Sequence, residues 1–171
     1  TPIIPSDPRF EEQGFTLVEV KPEYDYSKAM NIVHTNNVLE ALKVTMPKIQ
    51  QAQEEPRSIC FFINSTDMIH QLMNKLNIIE DSAVFCSTKS MDKLKRNGFN
   101  RAYDNWNDKH KKPYMFFTSR FYSALDIELN EKPDIVFVTE PYFAEYTIID
   151  PCTDAVQAIG RFRRGVSTIH H

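Results

Sequence analysis

The composition describes one compact and weakly acidic chain. It has 171 residues, 42% of them hydrophobic, with a formal net charge of −3, which favours a single domain with a sizeable core and excludes binding of nucleic acid by bulk charge alone. The sequence contains no apolar run that could span a bilayer and no secretory signal, so we expect a cytoplasmic protein without membrane contact. Cys60, Cys86 and Cys152 are scattered singly, which argues against disulfides and against a metal site.

Residues 1–35 are predicted to form a lead-in with one strand, ahead of a single globular domain over 36–171. Prolines 2, 5 and 8 predict an irregular start, and the segment 15–20 (FTLVEV) predicts the first strand. Helical spacing follows between residues 36 and 53, at Leu39, Leu42, Met46 and Ile49. Because Pro47 lies within this pattern, we expect a kink there or a division into two helices.

From residue 57 onward, buried strands alternate with helices. Strands are predicted over 58–64 (SICFFIN), 82–87 (SAVFCS), 113–119 (PYMFFTS), 134–140 (DIVFVTE) and 146–150 (YTIID), and helices over 67–76 and 90–97. The polar stretch 100–112 fits either helix or loop. Continuous apolar strands separated by helices predict an α/β fold with a mostly parallel central sheet and helices on both faces.

The segment 154–164 (DAVQAIGRFRR) predicts a helix with two distinct faces. Ala155, Ala158, Ile159 and Phe162 would form an apolar stripe, whereas Gln157, Gly160, Arg161 and Arg164 repeat the same spacing on another face. Thr153 is the predicted N-cap. Two guanidinium groups on one rigid element suit phosphate oxygens, although a solvated basic face is an equally simple interpretation.

Small hydroxyl residues follow three of the predicted strands, where parallel sheets bind ligands. They are Ser65 and Thr66 after the first buried strand, Ser87 and Thr88 after the second, and Thr118 and Ser119 after the third. Each one alone is most simply a helix cap. Together they predict a phosphate-binding rim at one sheet edge.

These segments, in this order, resemble the second RecA-like domain of superfamily 2 helicases and translocases. Residues 157–164 (QAIGRFRR) are similar to that family's motif VI, whose core is Q-x-x-G-R-x-x-R. Residues 118–127 (TSRFYSALDI) look like motif V, and residues 58–66 (SICFFINST) resemble motif IV. The resemblance implies a RecA-like second lobe of the P-loop NTPase type, covering about residues 57–165.

The resemblance also implies roles for individual residues. Arg161 and Arg164 would be arginine fingers toward ATP and Mg²⁺ bound mainly by an N-terminal RecA-like domain of the same polypeptide, and Gln157 would order that interface. Asp126, with Ala124 and Gly160, would adjoin the nucleotide. Thr118 and Ser119, with Ser65, Thr66 and Thr88, would hold the backbone of DNA or RNA. The sequence has no G-x-x-x-x-G-K-[ST] phosphate loop, so we expect the fragment alone to be inactive.

Three departures from the family pattern support an alternative. Ala124 stands where motif V has glycine, Ala158 where arginine often follows the motif VI glutamine, and Arg163 where glycine often separates the arginines. The alternative is a degenerate, non-catalytic RecA-like module that docks protein or nucleic acid. A third hypothesis is an unrelated doubly wound enzyme that uses Asp126 or Asp150 in a cleft.

Three further features carry weaker hypotheses. Trp106, Tyr103 and the basic run 109–112 (KHKK) would suit single-stranded nucleic acid, but an exposed aromatic patch beside a solvated charge cluster is the simpler interpretation. Phe121 and Tyr122 are expected to pack in the core. His170 and His171 are either native or part of a tag, and no prediction rests on them.

Overall fold

The computed structural model describes residues 8–16, 23, 27–123, 125–141 and 145–171, and its centre is a parallel β-sheet. The six strands lie in the order β3-β2-β4-β1-β5-β6, and every pairing between them is parallel. Their bounds are β1 Ile59–Phe62, β2 Ser82–Phe85, β3 Ala102–Tyr103, β4 Tyr114–Phe117, β5 Asp134–Phe137 and β6 Ile169–His170. This arrangement confirms the predicted α/β class and is consistent with a RecA-like fold.

Helices pack on both faces of the sheet. They are α1 Pro8–Glu12, α2 Val38–Gln51, α3 Thr66–Lys75, α4 Thr88–Arg96 and α5 Asp154–Ile159, with short 3₁₀ turns at Ile79–Asp81, Asp108–His110, Ser119–Phe121 and Glu145–Thr147. One core cluster joins the sheet to α2, α3 and α4, and the other joins the opposite face to α5. The predicted helices at 67–76 and 90–97 are therefore confirmed to within about two residues.

The continuous apolar strands stack phenylalanine rings on both faces of the sheet. The parallel register places Phe61 beside Phe116 and Phe62 beside Phe117. The first pair of rings lies 4.7 Å apart between centroids and the second 5.3 Å apart. Such ring pairs add stability beyond the burial of their area. All four rings are buried, as predicted for a strand that is covered on both faces.

The structure changes or decides three expectations about regular structure. Pro8 begins a short helix, since proline is tolerated in a first helical turn where its missing N–H would have no partner. Of the two alternatives at Pro47, the division into two helices is wrong, because α2 is continuous through the proline and has buried Leu42, Met46 and Ile49 on both sides of it. The undecided stretch 100–112 contains both β3 and a 3₁₀ turn.

The largest error in the strand assignment concerns residues 146–150. This segment begins in a 3₁₀ turn and does not join the sheet; β6 pairs with β5 instead. Thr147 and Ile149 are buried whereas Tyr146 and Ile148 are exposed, so the apolar segment that suggested a strand is a loop packed on the sheet. For the predicted strand 15–20, residues 17–20 lie outside the described part of the chain.

The two C-terminal histidines belong to the fold. His170 is in β6, and its neighbour His171 donates its backbone N–H to the Asn31 carbonyl at 2.8 Å. Asn31 in turn donates to Ile169 at 2.9 Å and forms a parallel bridge with His170. The backbone at Asn31 therefore borders the sheet beyond β6.

Candidate functional site

The carboxyl ends of three adjacent strands bring the hydroxyl residues to one edge of the sheet. Strands β2, β4 and β1 are neighbours and parallel, so the residues that follow them emerge on the same side. The loops contribute Ser87 and Thr88, Thr118 and Ser119, and Ser65 and Thr66 respectively. The structure therefore places every predicted hydroxyl contact at a single edge.

Several of these hydroxyls already bond to the protein. Ser65 is buried and accepts from the Met68 N–H at 3.3 Å, which caps α3. Thr88 donates to the Asp104 carboxylate at 3.0 Å, and Thr118 approaches the Phe85 carbonyl at 3.5 Å. Thr66 and Ser119 make no side-chain hydrogen bond within the described residues. Ser65 thus has a structural role, as does Ser87, which accepts from the Ser90 N–H at 3.3 Å and caps α4; the other four hydroxyls remain accessible to different degrees.

Replacing Ser65 by alanine is expected to lower the free energy of unfolding by about 1 kcal/mol, because an N-cap hydroxyl is lost. Urea unfolding followed by circular dichroism measures the change. Ser119→Ala is the matched control, since Ser119 is exposed and its loss should change stability by less than about 0.5 kcal/mol. Equal stability of the two variants would show that the cap contributes nothing.

Helix α5 is shorter than predicted, and the two arginines lie beyond its end. It stops at Ile159 with Gly160 as its C-cap, and Thr153 makes no side-chain capping bond. Instead, the Asp150 carboxylate accepts from the backbone N–H groups of Cys152 and Thr153 at 2.7 and 3.2 Å. The prediction of one helix over 154–164 with a Thr153 cap is therefore wrong.

A backbone pairing with Ile127 fixes the segment that carries the arginines. The Ile127 N–H donates to the Arg161 carbonyl at 2.8 Å, and the Arg163 N–H donates to the Ile127 carbonyl at 3.3 Å. Between them, the Phe162 ring packs edge-on against Phe62 and Phe117 with centroid distances of 6.3 and 6.5 Å. Since Phe62 and Phe117 end β1 and β4, this segment is held at the carboxyl edge.

Neither predicted arginine finger is in the core. Arg164 is exposed, and Arg161 is half-buried, with its Nε donating to the Gln157 carbonyl at 3.2 Å. Within the described residues no carboxylate forms an ion pair with either side chain. By contrast, Arg57, Arg101 and Arg163 each have a carboxylate partner. The guanidinium groups of Arg161 and Arg164 thus keep most of their donors available.

The residues predicted to adjoin the nucleotide are only partly brought together. Asp126 is exposed and forms an ion pair with Arg163 at 2.5 Å. In the sequence, Arg163 was noted only as a departure from motif VI. Gly160 ends α5, and a Cβ there would lie 3.3 Å from the Val156 carbonyl oxygen. Gln157 is half-buried at the same helix end. Ala124 lies outside the described residues.

Two residues at this edge were not predicted as site residues. The Tyr122 hydroxyl donates to the Asn64 side-chain oxygen at 2.7 Å and so ties the loop after β4 to the loop after β1. Burial raises the pKa of Tyr122 well above its ordinary value, so its phenol stays protonated. Arg120 follows β4, is exposed, and has no carboxylate partner among the described residues. Its position after a strand end was the signal that could have identified it.

The aromatic and basic side chains around residue 106 make contacts within the protein. Trp106 is half-buried against Phe85, at 5.1 Å between ring centroids, and Tyr103 stacks on His110 at 3.5 Å. Lys111 pairs with Glu131 at 2.6 Å, just before the amino end of β4. The basic run 109–112 therefore ends at the sheet edge opposite the hydroxyl residues. Phe121 is buried like Tyr122, as expected of packing residues.

The described part of the chain has no cluster of metal ligands and no helix that could cross a membrane. No three histidine, cysteine or acidic side chains there come together as metal ligands. Among the same residues, no helix has the length and apolarity to cross a membrane. Cys60 and Cys86 are buried, and burial raises the pKa of both thiols.

No family model, curated protein or solved structure matches this chain. The resemblance to superfamily 2 helicases therefore stays a prediction from the three motif-like segments.

Proposed function

We propose that this chain is the C-terminal motor lobe of an ATP-dependent nucleic-acid helicase or translocase. Arg161 and Arg164 would act as arginine fingers toward ATP and Mg²⁺ held by an N-terminal RecA-like lobe of the same polypeptide. The observation that carries the proposal is the pair of arginines without carboxylate partners in the described chain, held at the sheet edge where the hydroxyl loops meet.

The charge balance at this edge supports binding to phosphates from outside the domain. Arg120 adds a third cation without an acidic partner among the described residues. A guanidinium group keeps its charge and presents a planar fork of donors, which suits phosphate oxygens. Three guanidinium groups without acidic partners, gathered at one edge of the sheet, favour an anionic partner from outside the domain. We infer that the partner is the phosphate chain of a nucleotide on the opposing lobe.

The local chemistry fits closure-dependent hydrolysis. Negative charge spreads over the equatorial oxygens during phosphoryl transfer, and arginines supplied from a second domain stabilise that charge only when the domains close. The backbone pairing of Ile127 with Arg161 and Arg163 limits how far the segment between them can move. This chain would therefore supply rigidly placed charge, whereas the other lobe would bind the nucleotide.

The hydroxyl residues would contact the backbone of DNA or RNA. Neutral hydroxyl and N–H donors commonly bind phosphodiester oxygens without reading sequence. Thr118, Ser119, Thr66 and Thr88 are the accessible candidates, because the Ser65 hydroxyl is used within α3. Binding through these groups fits a protein with an acidic net charge of −3, since it needs no extensive basic surface.

A second candidate function is a non-catalytic RecA-like module that docks protein or nucleic acid. The ion pair between Asp126 and Arg163 favours it, because a carboxylate already bound to a guanidinium group is less available to a nucleotide. Both candidate functions use the same fold. They differ in whether closure of the two lobes accelerates ATP hydrolysis.

The test joins this chain to the ATP-binding lobe of its own polypeptide. ATP hydrolysis is measured without nucleic acid, with single-stranded DNA and with single-stranded RNA. The motor function predicts that one or both polymers stimulate turnover. ATP binding with no stimulation by either polymer would contradict the motor function and support the docking module.

A further inference from the structure

A cleft of about 710 Å³ lies beside β6, away from the arginines. Helix α2 forms one wall through Val38, Ala41 and Thr45, and the chain that leaves β5 forms another through Val138 and Glu140. Leu42 and Val138 belong to the core cluster on the α2 face, whereas Phe162 belongs to the cluster on the opposite face. The lining of the cleft shares no residue with the site of the proposed motor function.

Internal hydrogen bonds hold the deep part of the cleft in place. The Thr139 hydroxyl lies 2.8 Å from His171 Nε2 and accepts from the Ile149 N–H at 3.2 Å. The His171 ring also packs edge-on against Phe137, at 6.1 Å between centroids. These contacts join β5, β6 and the loop before α5, so this wall is formed before any ligand arrives.

The charge of the cleft comes from one carboxylate. Glu140 is half-buried, and within the described residues its carboxylate has neither a hydrogen bond nor an ion pair. Lysine and arginine are absent from the described lining. Burial lowers the pKa of His170 and of His171, so both imidazoles are neutral near pH 7. The cleft therefore combines apolar walls with neutral polar groups and one acidic side chain, and His34 is a third imidazole in its lining.

We propose that this cleft binds a small organic cation, one with an apolar ring or chain and an ammonium or amidinium end. Binding pockets for small molecules usually measure about 300–1,000 Å³ and combine apolar walls with a few polar groups. The apolar body would lie against Ala41 and Val138, and the cationic end would donate to Glu140. Anions such as phosphates or carboxylates are excluded, because they would meet Glu140 without a compensating positive side chain in the described lining.

The probe is benzamidine, and benzoate is its counterpart of the same shape with opposite charge. The ¹H–¹⁵N spectrum of the labelled chain is recorded during titration with each compound. Benzamidine should shift the amide signals of Ala41, Thr45, Val138 and Glu140 with saturable binding, and benzoate should not. Equal shifts with both compounds, or benzamidine shifts confined to other parts of the chain, would overturn the proposal.

Two matched pairs of variants locate the binding. Glu140→Gln should weaken benzamidine binding about tenfold, the usual effect of losing a charge-assisted hydrogen bond. Glu40→Gln on α2 should leave binding unchanged, because the Glu40 carboxylate is paired with Lys43 at 2.8 Å.

Ala41→Phe should fill the cleft and abolish binding, whereas Val44→Phe, which alters an exposed position on the same helix, should not. The spectrum of each variant without ligand shows whether it is folded. A folded Glu140→Gln protein that binds benzamidine as well as wild type would contradict the assignment of Glu140.

Discussion

Alanine at Arg161 or Arg164 is expected to lower nucleic-acid-stimulated ATP hydrolysis about 10³-fold or more in the polypeptide that contains both lobes, since this is the typical effect of losing an arginine finger. The turnover number should fall more than the affinity for ATP, because the other lobe binds the nucleotide. Steady-state kinetics at saturating polymer separates the two quantities.

Arg161 and Arg164 differ in how well lysine can replace them. Arg161 uses Nε internally, donating to the Gln157 carbonyl at 3.2 Å, and its terminal nitrogens remain for phosphate. Lysine has no equivalent of this bond and no planar fork, so Arg161→Lys should recover little activity. Arg164 has no such bond within the described residues, and Arg164→Lys should recover more.

Arg96→Ala is the control for loss of one positive charge. Arg96 is on the surface of α4, where its Nε contacts only the Asp92 carbonyl at 3.4 Å, and its replacement should leave turnover within about twofold. Near wild-type turnover in both Arg161→Ala and Arg164→Ala would remove the arginine-finger assignment, whatever the polymer does.

Most of the sheet could be predicted because its strands are buried on both faces. Every residue of β1, β2 and β5 is buried, and apart from Ser82 and Asp134 at the start of β2 and β5 every one is apolar, a pattern that loops rarely show. Strand β6 has only two residues, Ile169 and His170, and one of them is polar. Such a short edge strand has no pattern of its own and is defined only by its pairing with β5.

The position of the candidate residues at one sheet edge could be predicted, but not the local structure of the segment that carries the arginines. The position of hydroxyl residues after strands fixes the edge at which they lie, since parallel strands share one polarity. Helix periodicity could not show that α5 stops at Ile159, because Phe162 fits the apolar stripe of a longer helix equally well. Its ring instead packs on Phe62 from a segment paired with Ile127, a contact between residues far apart in sequence.

The carboxylate of Asp134 was not singled out in the sequence, yet it connects four parts of the chain. Its side chain is fully buried at the start of β5. It accepts hydrogen bonds from Arg57 Nε at 2.8 Å, from the Gln53 side chain at 2.8 Å and from the Thr168 hydroxyl at 2.6 Å. Gln53 follows α2, Arg57 precedes β1 and Thr168 precedes β6. The Asp134 carboxylate therefore connects these three segments to β5 at the amino edge of the sheet.

Asp134→Ala is expected to lower the free energy of unfolding by about 3–5 kcal/mol, because removing one member of a buried ion pair leaves the other, here Arg57, without compensation. Asp67→Ala is the matched control. Asp67 forms an exposed ion pair with Lys93 at 2.6 Å, and such pairs contribute at most about 1 kcal/mol. Urea unfolding at neutral pH compares the two variants, and similar losses would show that the Asp134 network adds no more than a surface pair.

The same carboxylate should make stability depend on acid pH. Burial opposes ionisation of Asp134, but the hydrogen bonds from Arg57, Thr168 and Gln53 outweigh it and lower its pKa below 3.8. The folded protein therefore gains stability from ionised Asp134 at pH values above about 4, the ordinary pKa of an aspartate. This stability is lost as the pH falls through the lower folded-state pKa. The unfolding free energy of the wild type should decrease more steeply below pH 4 than that of Asp134→Ala, and parallel pH profiles would contradict the role assigned to this carboxylate.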